Sequence, residues 1–279
     1  MITQNKSKLG RKYNTARHDH KKQPVFEFAS LVMREITPLP AKTFNGLRLV
    51  PCWDQGPYGT CYSHAVARCI VWNQIKYNIQ PFKPSITDIA WKACVQEGEN
   101  TVAEDQGISS IPNAIIPLLN QGYCPEWIWP YNSSTLNIRP TPACVAEALK
   151  HMVDSYAMIP QDLDSIKRTL ANGNVIAFGA LIYPQYESNQ CLKDGIVEMP
   201  DWIDRHIKGP LGGHAQTIVD YDDTYFYVDG SWGTNVGATH LGDMKLDAPR
   251  GIFKFPYDYI LSNKLAFDFC VVNGVSEVK

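Results

Sequence analysis

The sequence predicts an α+β chain whose two lobes share a cleft. Helical periodicity fills the first half and strand patterns fill the second, a segregation that belongs to α+β folds and not to a doubly wound sheet. The length, 279 residues, is enough for one large domain or two lobes around a substantial core. No internal repeat, GxGxxG or P-loop pattern interrupts this division. The expected organisation is a basic tail and extended wrap over residues 1–47, a mainly helical lobe over 48–158 and a mainly β lobe over 159–279.

Residues 1–22 carry seven Lys or Arg and one acid, Asp19. Such a segment reads as a solvated tail, or more sharply as a short pro-segment or docking arm. His18-Asp19-His20 on a tail makes a poor metal site. Residues 23–50 mix Val25, Phe26, Pro38, Leu39 and Pro40 and read as an extended wrap. The spacing of Cys61, Ala65, Cys69 and Trp72 predicts a helix opening at Cys61 and ended by Pro81 and Pro84. Further helices are predicted over 86–97, over 111–121 with a stop at Gly122, over 142–152 with Pro142 in the first turn, and over 162–172. Strands are predicted over 175–182, 215–221, 225–228, 251–255 and 267–272.

Bulk composition narrows the function classes. Charged residues make up 19%, hydrophobic residues 44%, and the net charge is −2. This balance provides no global field for nucleic acid. No apolar run is long enough to span a bilayer, and the N-terminus lacks the apolar region of a secretory signal. The eight cysteines include no C-x-x-C pair, which argues against structural zinc. Free thiols in a reducing compartment are expected, so an intracellular setting or packaging in a viral particle is favoured over secretion.

Three segments carry the chemistry. Cys61 follows Gln55-Gly56-Pro57-Tyr58-Gly59-Thr60 and opens a predicted helix. A thiol with pKa near ~8.5 is mostly protonated at neutral pH, and the positive end of a helix dipole favours its thiolate. Read alone, Cys61 is equally a buried structural thiol like Cys69. Gln55, six residues upstream, has an amide that could donate to an oxyanion alongside the Cys61 N–H; alone it is equally a turn residue. His214 follows two glycines and opens a strand, where a lone histidine is usually a satisfied polar residue. His64, His151, His206 and His240 take that bland reading, although His64 shares the helix of Cys61 and is close enough to perturb the thiol.

Together, Gln-Gly-x-x-Gly-x-Cys, Gly212-Gly213-His214-Ala215 and Ser231-Trp232-Gly233 resemble the active-site segments of papain-like cysteine peptidases. Asp105-Gln106-Gly107, Trp129-Pro130-Tyr131 and Asp194-Gly195-Ile196 are similar to landmarks of the compact bacterial and large-DNA-virus members. The resemblance spans roughly residues 48–262. It implies a papain-like two-lobe fold, with Cys61 as nucleophile, His214 as base and Gln55 in the oxyanion hole. It also implies peptide or protein as substrate, Gly107 and Gly213 against the substrate backbone, Trp232 shielding the histidine, and no metal or organic cofactor. Cys61 is expected to be a partly exposed thiol at the cleft. The basic tail is expected to dock on the cleft or on an acidic partner.

The sequence departs from the family at the residue that orients the histidine. The expected asparagine falls on Gly230, which has no side chain. Asp229 is the nearest replacement, but strand alternation directs neighbouring side chains to opposite faces unless a bulge re-aims one. A water or the backbone are the other supports for the imidazole. With Asp229 facing solvent instead, its loss is expected to be nearly silent and asparagine restored at 230 to raise activity. The gap leaves two rivals to a peptidase. One is a pseudopeptidase that binds peptides or a partner; the other is a Cys–His acyl transferase or amidase with Asp229 as third member.

Overall fold

A computed structural model describes residues 35–43, 50–98, 107–242, 244–246 and 250–277. The predicted tail and Asp105-Gln106 lie outside the described residues. The helices are α1 (Cys61–Lys76), α2 (Ile86–Gln96), α3 (Pro112–Ile115), α4 (Leu118–Gln121), α5 (Pro142–Ala148), α6 (Leu163–Ala171), α7 (Asn189–Asp194) and α8 (Tyr257–Leu261). The strands are β1 (His151–Val153), β2 (Tyr156–Met158), β3 (Ile176–Ile182), β4 (Gly212–Tyr221), β5 (Tyr225–Asp229), β6 (His240–Leu241), β7 (Met244–Lys245), β8 (Ile252–Pro256), β9 (Ala266–Val272) and β10 (Val275–Glu277). Six strands form an antiparallel sheet in the order β2-β9-β3-β4-β5-β8.

Two predicted helices come out differently. The 111–121 helix is split into α3 and α4 at Pro117, because proline has no N–H to continue the ladder. Gly122 ends it with φ +63, where an added Cβ would strike the Ala148 carbonyl oxygen at 1.9 Å. The 142–152 helix stops at Ala148, and His151–Val153 pairs instead with β10. The pairing partner lies far along the chain, out of reach of local periodicity.

Helix α1 is central. Its residues from Cys61 to Gln74 are all buried, so it is enclosed on every side instead of showing one wet face. It lies against β4, where the Thr217 hydroxyl donates to the Ala65 carbonyl at 3.3 Å. Apolar burial divides into two clusters. One gathers α1, α2 and the sheet face of Ala215, Val219 and Tyr227. The other gathers the opposite sheet face, with Ile218, Phe226, Val228 and Phe253. Alternation along β5, and along β4 up to the register shift between Ile218 and Asp220, therefore sorts odd-numbered side chains toward α1 and even-numbered ones away from it; beyond the shift, Tyr221 joins the far cluster.

The described wrap, residues 35–43, is tied to the β lobe. The Thr43 N–H donates to the Tyr221 carbonyl at 2.9 Å, and the Tyr221 hydroxyl donates to the Pro40 carbonyl at 2.7 Å. Among the described residues, no helix is long and apolar enough to cross a membrane.

Candidate active site

The nucleophile segment is shaped by a turn and a helix start. Gly56 takes φ +60, and the Asp54 carboxylate accepts the Gly56 N–H at 2.8 Å. Thr60 is the N-cap of α1 but makes no side-chain cap, and the first turn holds no acid. The positive end of a 16-residue helix therefore faces the Cys61 thiol without a carboxylate to cancel it. Docking of α1 on β4 brings the Ala215 N–H to 3.3 Å from the Cys61 sulfur, so the residue next to His214 in the chain touches the thiol.

His214 stands in β4 opposite Ala180. Its Nε2 lies 2.9 Å from the Gly230 carbonyl oxygen. The ring packs against Trp232, with centroids 5.5 Å apart, and edge-on to Tyr186 at 6.2 Å. Trp232 thus lies beside the imidazole.

The Asp229 carboxylate, weighed above as an orienter, does not serve His214. Its Oδ2 lies 2.6 Å from Arg68 Nη1. Its Oδ1 accepts the Ser231 N–H at 2.9 Å and the Cys52 thiol at 3.2 Å. Alternation is the reason: Asp229 sits opposite Thr217 on the face packed against α1, whereas His214 projects on the other face. The condition set for asparagine at 230, a solvent-facing Asp229, is not met, because Asp229 is buried, and the space beside Gly230 is occupied. A Cβ there would lie 2.8 Å from both the Tyr186 hydroxyl and a Phe253 ring carbon. Aromatic side chains fill the volume an asparagine would use, and the backbone carbonyl supplies the acceptor instead.

Gln55 is held on several sides. Its Nε2 donates to the Tyr58 carbonyl at 2.8 Å, and its Oε1 accepts from the Ser231 hydroxyl at 2.7 Å. Its backbone N–H donates to the Ser231 carbonyl at 2.9 Å. The Tyr131 hydroxyl donates to the Gln55 carbonyl at 2.7 Å and is 2.6 Å from the Thr60 hydroxyl. Cys61, Gln55 and His214 are each 0% exposed. The expectation of a partly exposed thiol is therefore corrected: the site is closed over, because α1 is packed on all sides. Gly107 and Gly213 are also buried, Gly213 opposite Leu181 in the sheet.

His64 is not a second base. Burial holds its ring neutral, with its pKa pushed down to about 3. Its Nδ1 donates to the Thr60 carbonyl at 3.0 Å, and its ring meets Tyr131 edge-on at 5.2 Å. Sequence reasoning missed Arg68, Ser231 as a bridge between Gln55 and Gly230, Tyr186, and the role of Tyr131. Only Tyr131 and Ser231 had a signal, because both lie in segments that match family landmarks.

No protein-family model matches the chain. An uncharacterised peptidase C1-like protein of Acanthamoeba polyphaga mimivirus is 30% identical over 235 residues, which cover 80% of this chain and 70% of that protein. The chain belongs to the peptidase C1-like family. Among solved structures, Xylellain, a cysteine protease from Xylella fastidiosa, is similar with a TM-score of 0.76 and 27% identity over 98% of each chain. Procathepsin B S9 from Trypanosoma congolense shares the fold, with a TM-score of 0.68 and 16% identity over 98% of this chain and 88% of its own. The papain-like α+β fold follows, and within this family the chain is a cysteine peptidase that acts on peptide or protein substrates.

Proposed function

We propose that Cys61 and His214 are the catalytic pair of this peptidase and that the Gly230 carbonyl takes the place of an orienting side chain. The observation that carries the reading is the joint placement of the Cys61 sulfur on the Ala215 N–H and of His214 Nε2 on the Gly230 carbonyl. With Nε2–H donating to Gly230, Nδ1 is the nitrogen that exchanges the thiol proton. Cys61 attacks the scissile carbonyl carbon as thiolate, and the imidazolium returns the proton to the leaving amine. Water then attacks the thioester, with His214 as base, and the acid product leaves. The oxyanion is met by the Cys61 N–H and by the Gln55 side-chain amide. Gly107 and Gly213 are proposed to contact the substrate backbone, and Trp232 to keep water from the imidazole.

The complete burial of the three residues is the closed state of this site, and peptide reaches the thiol once covering segments shift. The basic residues 1–22 are proposed to dock on the cleft or on an acidic partner, an attraction that salt weakens. Their deletion is expected to raise activity at low salt; unchanged kinetics would remove this part of the reading. Among the described residues, which include all eight cysteines, none is in a disulfide. That state supports an intracellular or particle-packaged setting.

The decisive experiment pairs fluorogenic peptides with an epoxide inhibitor. Cys61 is expected to be labelled first among the eight cysteines, and Cys61→Ala to abolish hydrolysis while the fold persists. Label spread evenly, or hydrolysis retained by Cys61→Ala, would sink the assignment. A wild-type chain that binds peptide without turnover would establish the pseudopeptidase instead.

A further inference from the structure

We propose that Arg68 and Asp229 are positioning residues, which aim the Gly230 carbonyl at His214 and so replace the missing side chain of the site. The inference rests on the assignment of Cys61 and His214 above and extends it to the elements that hold them.

A backbone carbonyl is a good hydrogen-bond acceptor but a poor positioning device unless its peptide is fixed. Here the peptide is fixed on both sides. Upstream, Asp229 is the last residue of β5 and pairs with Thr217 and Ile252. Downstream, Ser231 is held at φ +53, a left-handed conformation that non-glycine residues rarely adopt. The Asp229 carboxylate stabilises this turn by accepting the Ser231 N–H at 2.9 Å. The Gly230 N–H is taken by the Gly251 carbonyl at 3.3 Å. With both flanking amides committed, the carbonyl between them keeps one direction.

Arg68 fixes the carboxylate in turn. Its guanidinium donates to the Pro51 carbonyl at 2.9 Å and lies 2.6 Å from Asp229 Oδ2. Arg68 follows Cys61 by seven residues, two turns along α1 on the same face. One rigid helix thereby carries the nucleophile at its first residue and the anchor of the base's acceptor two turns on. A shift of α1 moves the thiol and the turn together.

The chemistry of the pair argues for positioning rather than bulk stability. Both side chains are almost fully buried, at 4% and 7% exposure. A buried ion pair is often no more stabilising than apolar residues of the same volume, and its best-attested use is to specify one geometry. The carboxylate's contacts, to a turn amide, a thiol and a guanidinium, all bear on the residues around Gly230.

The test compares two doubly neutral variants, so that no buried charge is left alone. R68M/D229L removes the pair and the acceptor of the Ser231 N–H; R68M/D229N removes the charges but keeps an acceptor. Relative to wild type, R68M/D229L is expected to lose about 10–100-fold in kcat with KM within about twofold, the scale typical of outer-shell partners. R68M/D229N is expected to recover most of that loss. Epoxide titration and Tm confirm that the folded, thiol-competent fraction is unchanged. Equal kcat in R68M/D229L and wild type would overturn the proposal, and so would a loss that R68M/D229N does not recover. Nitrogen NMR of labelled histidine gives a reading free of turnover. The His214 Nε2 proton should exchange slowly in wild type and in R68M/D229N, and fast exchange in wild type would overturn the proposal even if R68M/D229L fails to fold. Should wild type hydrolyse no peptide, the catalytic assignment fails, while the NMR still decides whether Gly230 is held on the imidazole.

Discussion

The two halves of the site are built on different plans. The nucleophile half, Gln55 to Cys61, keeps the family's sequence pattern, and its proposed chemistry is carried by side chains. The orienting half, Asp229 to Ser231, has lost the family's side chain and uses a backbone carbonyl. In the first half a residue acts directly, so its identity is written in the motif. In the second half a residue acts by fixing a turn, so its identity can change while the geometry stays. A hydrogen-bond acceptor for imidazole needs only an oxygen at the right place, and a carbonyl 2.9 Å from Nε2 provides it.

The sharpest way to break this comparison is in the nucleophile half. Gln55→Ala removes the proposed oxyanion donor and the acceptor of the Ser231 hydroxyl. A fall in kcat of about 100–1,000-fold is expected, on the scale known for single oxyanion donors. A loss confined to KM would show that the amide only binds substrate.

Gly230→Asn tests the orienting half directly. If the two halves were built alike, this change would restore activity. The crowding by Tyr186 and Phe253 predicts the reverse: about 1–3 kcal/mol of destabilisation from overpacking, and a lower kcat as the carbonyl is displaced. Urea unfolding and steady-state kinetics on the same preparation read both, and an increase in kcat would refute the packing account.

Tyr131→Phe probes the link that braces Gln55 and Thr60. The ring and its edge contact with His64 stay, and only the hydroxyl goes. About 1 kcal/mol of stability should be lost, with kcat reduced several-fold because the nucleophile turn loosens. Unchanged kinetics would place Tyr131 in packing alone.

The last test reads a pH dependence of stability and leaves turnover aside. His64 is held neutral when folded, with its pKa near 3, whereas in the unfolded chain it titrates near ~6.5. The unfolded state therefore takes up the proton first as pH falls. The stabilising effect of burying the neutral ring is complete above about pH 6.5 and is lost progressively toward pH 3. Between pH 7 and pH 5 the loss amounts to about 2 kcal/mol. His64→Phe should flatten that part of the stability profile, as measured by denaturant midpoints at the two pH values. Equal slopes in the two proteins would show that His64 already binds a proton in the folded state.

Most of this fold was legible because local rules agreed. The period of Cys61, Ala65, Cys69 and Trp72 gave α1, and the apolar run from Ile176 gave β3. The helix predicted from residue 162 starts there because Asp162 accepts the Ser165 N–H and caps α6. The misses came where a distant partner outweighed the local pattern, as when β10 drew residues 151–153 out of a helix. The catalytic candidates were legible because the role proposed for each rests on its own side chain, at a spacing the family pattern preserves. By itself the sequence determined that a thiol opens a helix, that a glutamine precedes it and that a histidine opens a strand. It also showed that the asparagine's place holds a glycine, and strand alternation disfavoured Asp229 as its replacement without excluding it. Only the tertiary structure decided what fills the gap. Whether a carbonyl points at an imidazole depends on the φ of Ser231, on Arg68 arriving from α1, and on the ring of Phe253 occupying the space beside Gly230. These contacts join residues far apart in the chain, and no local spacing encodes them.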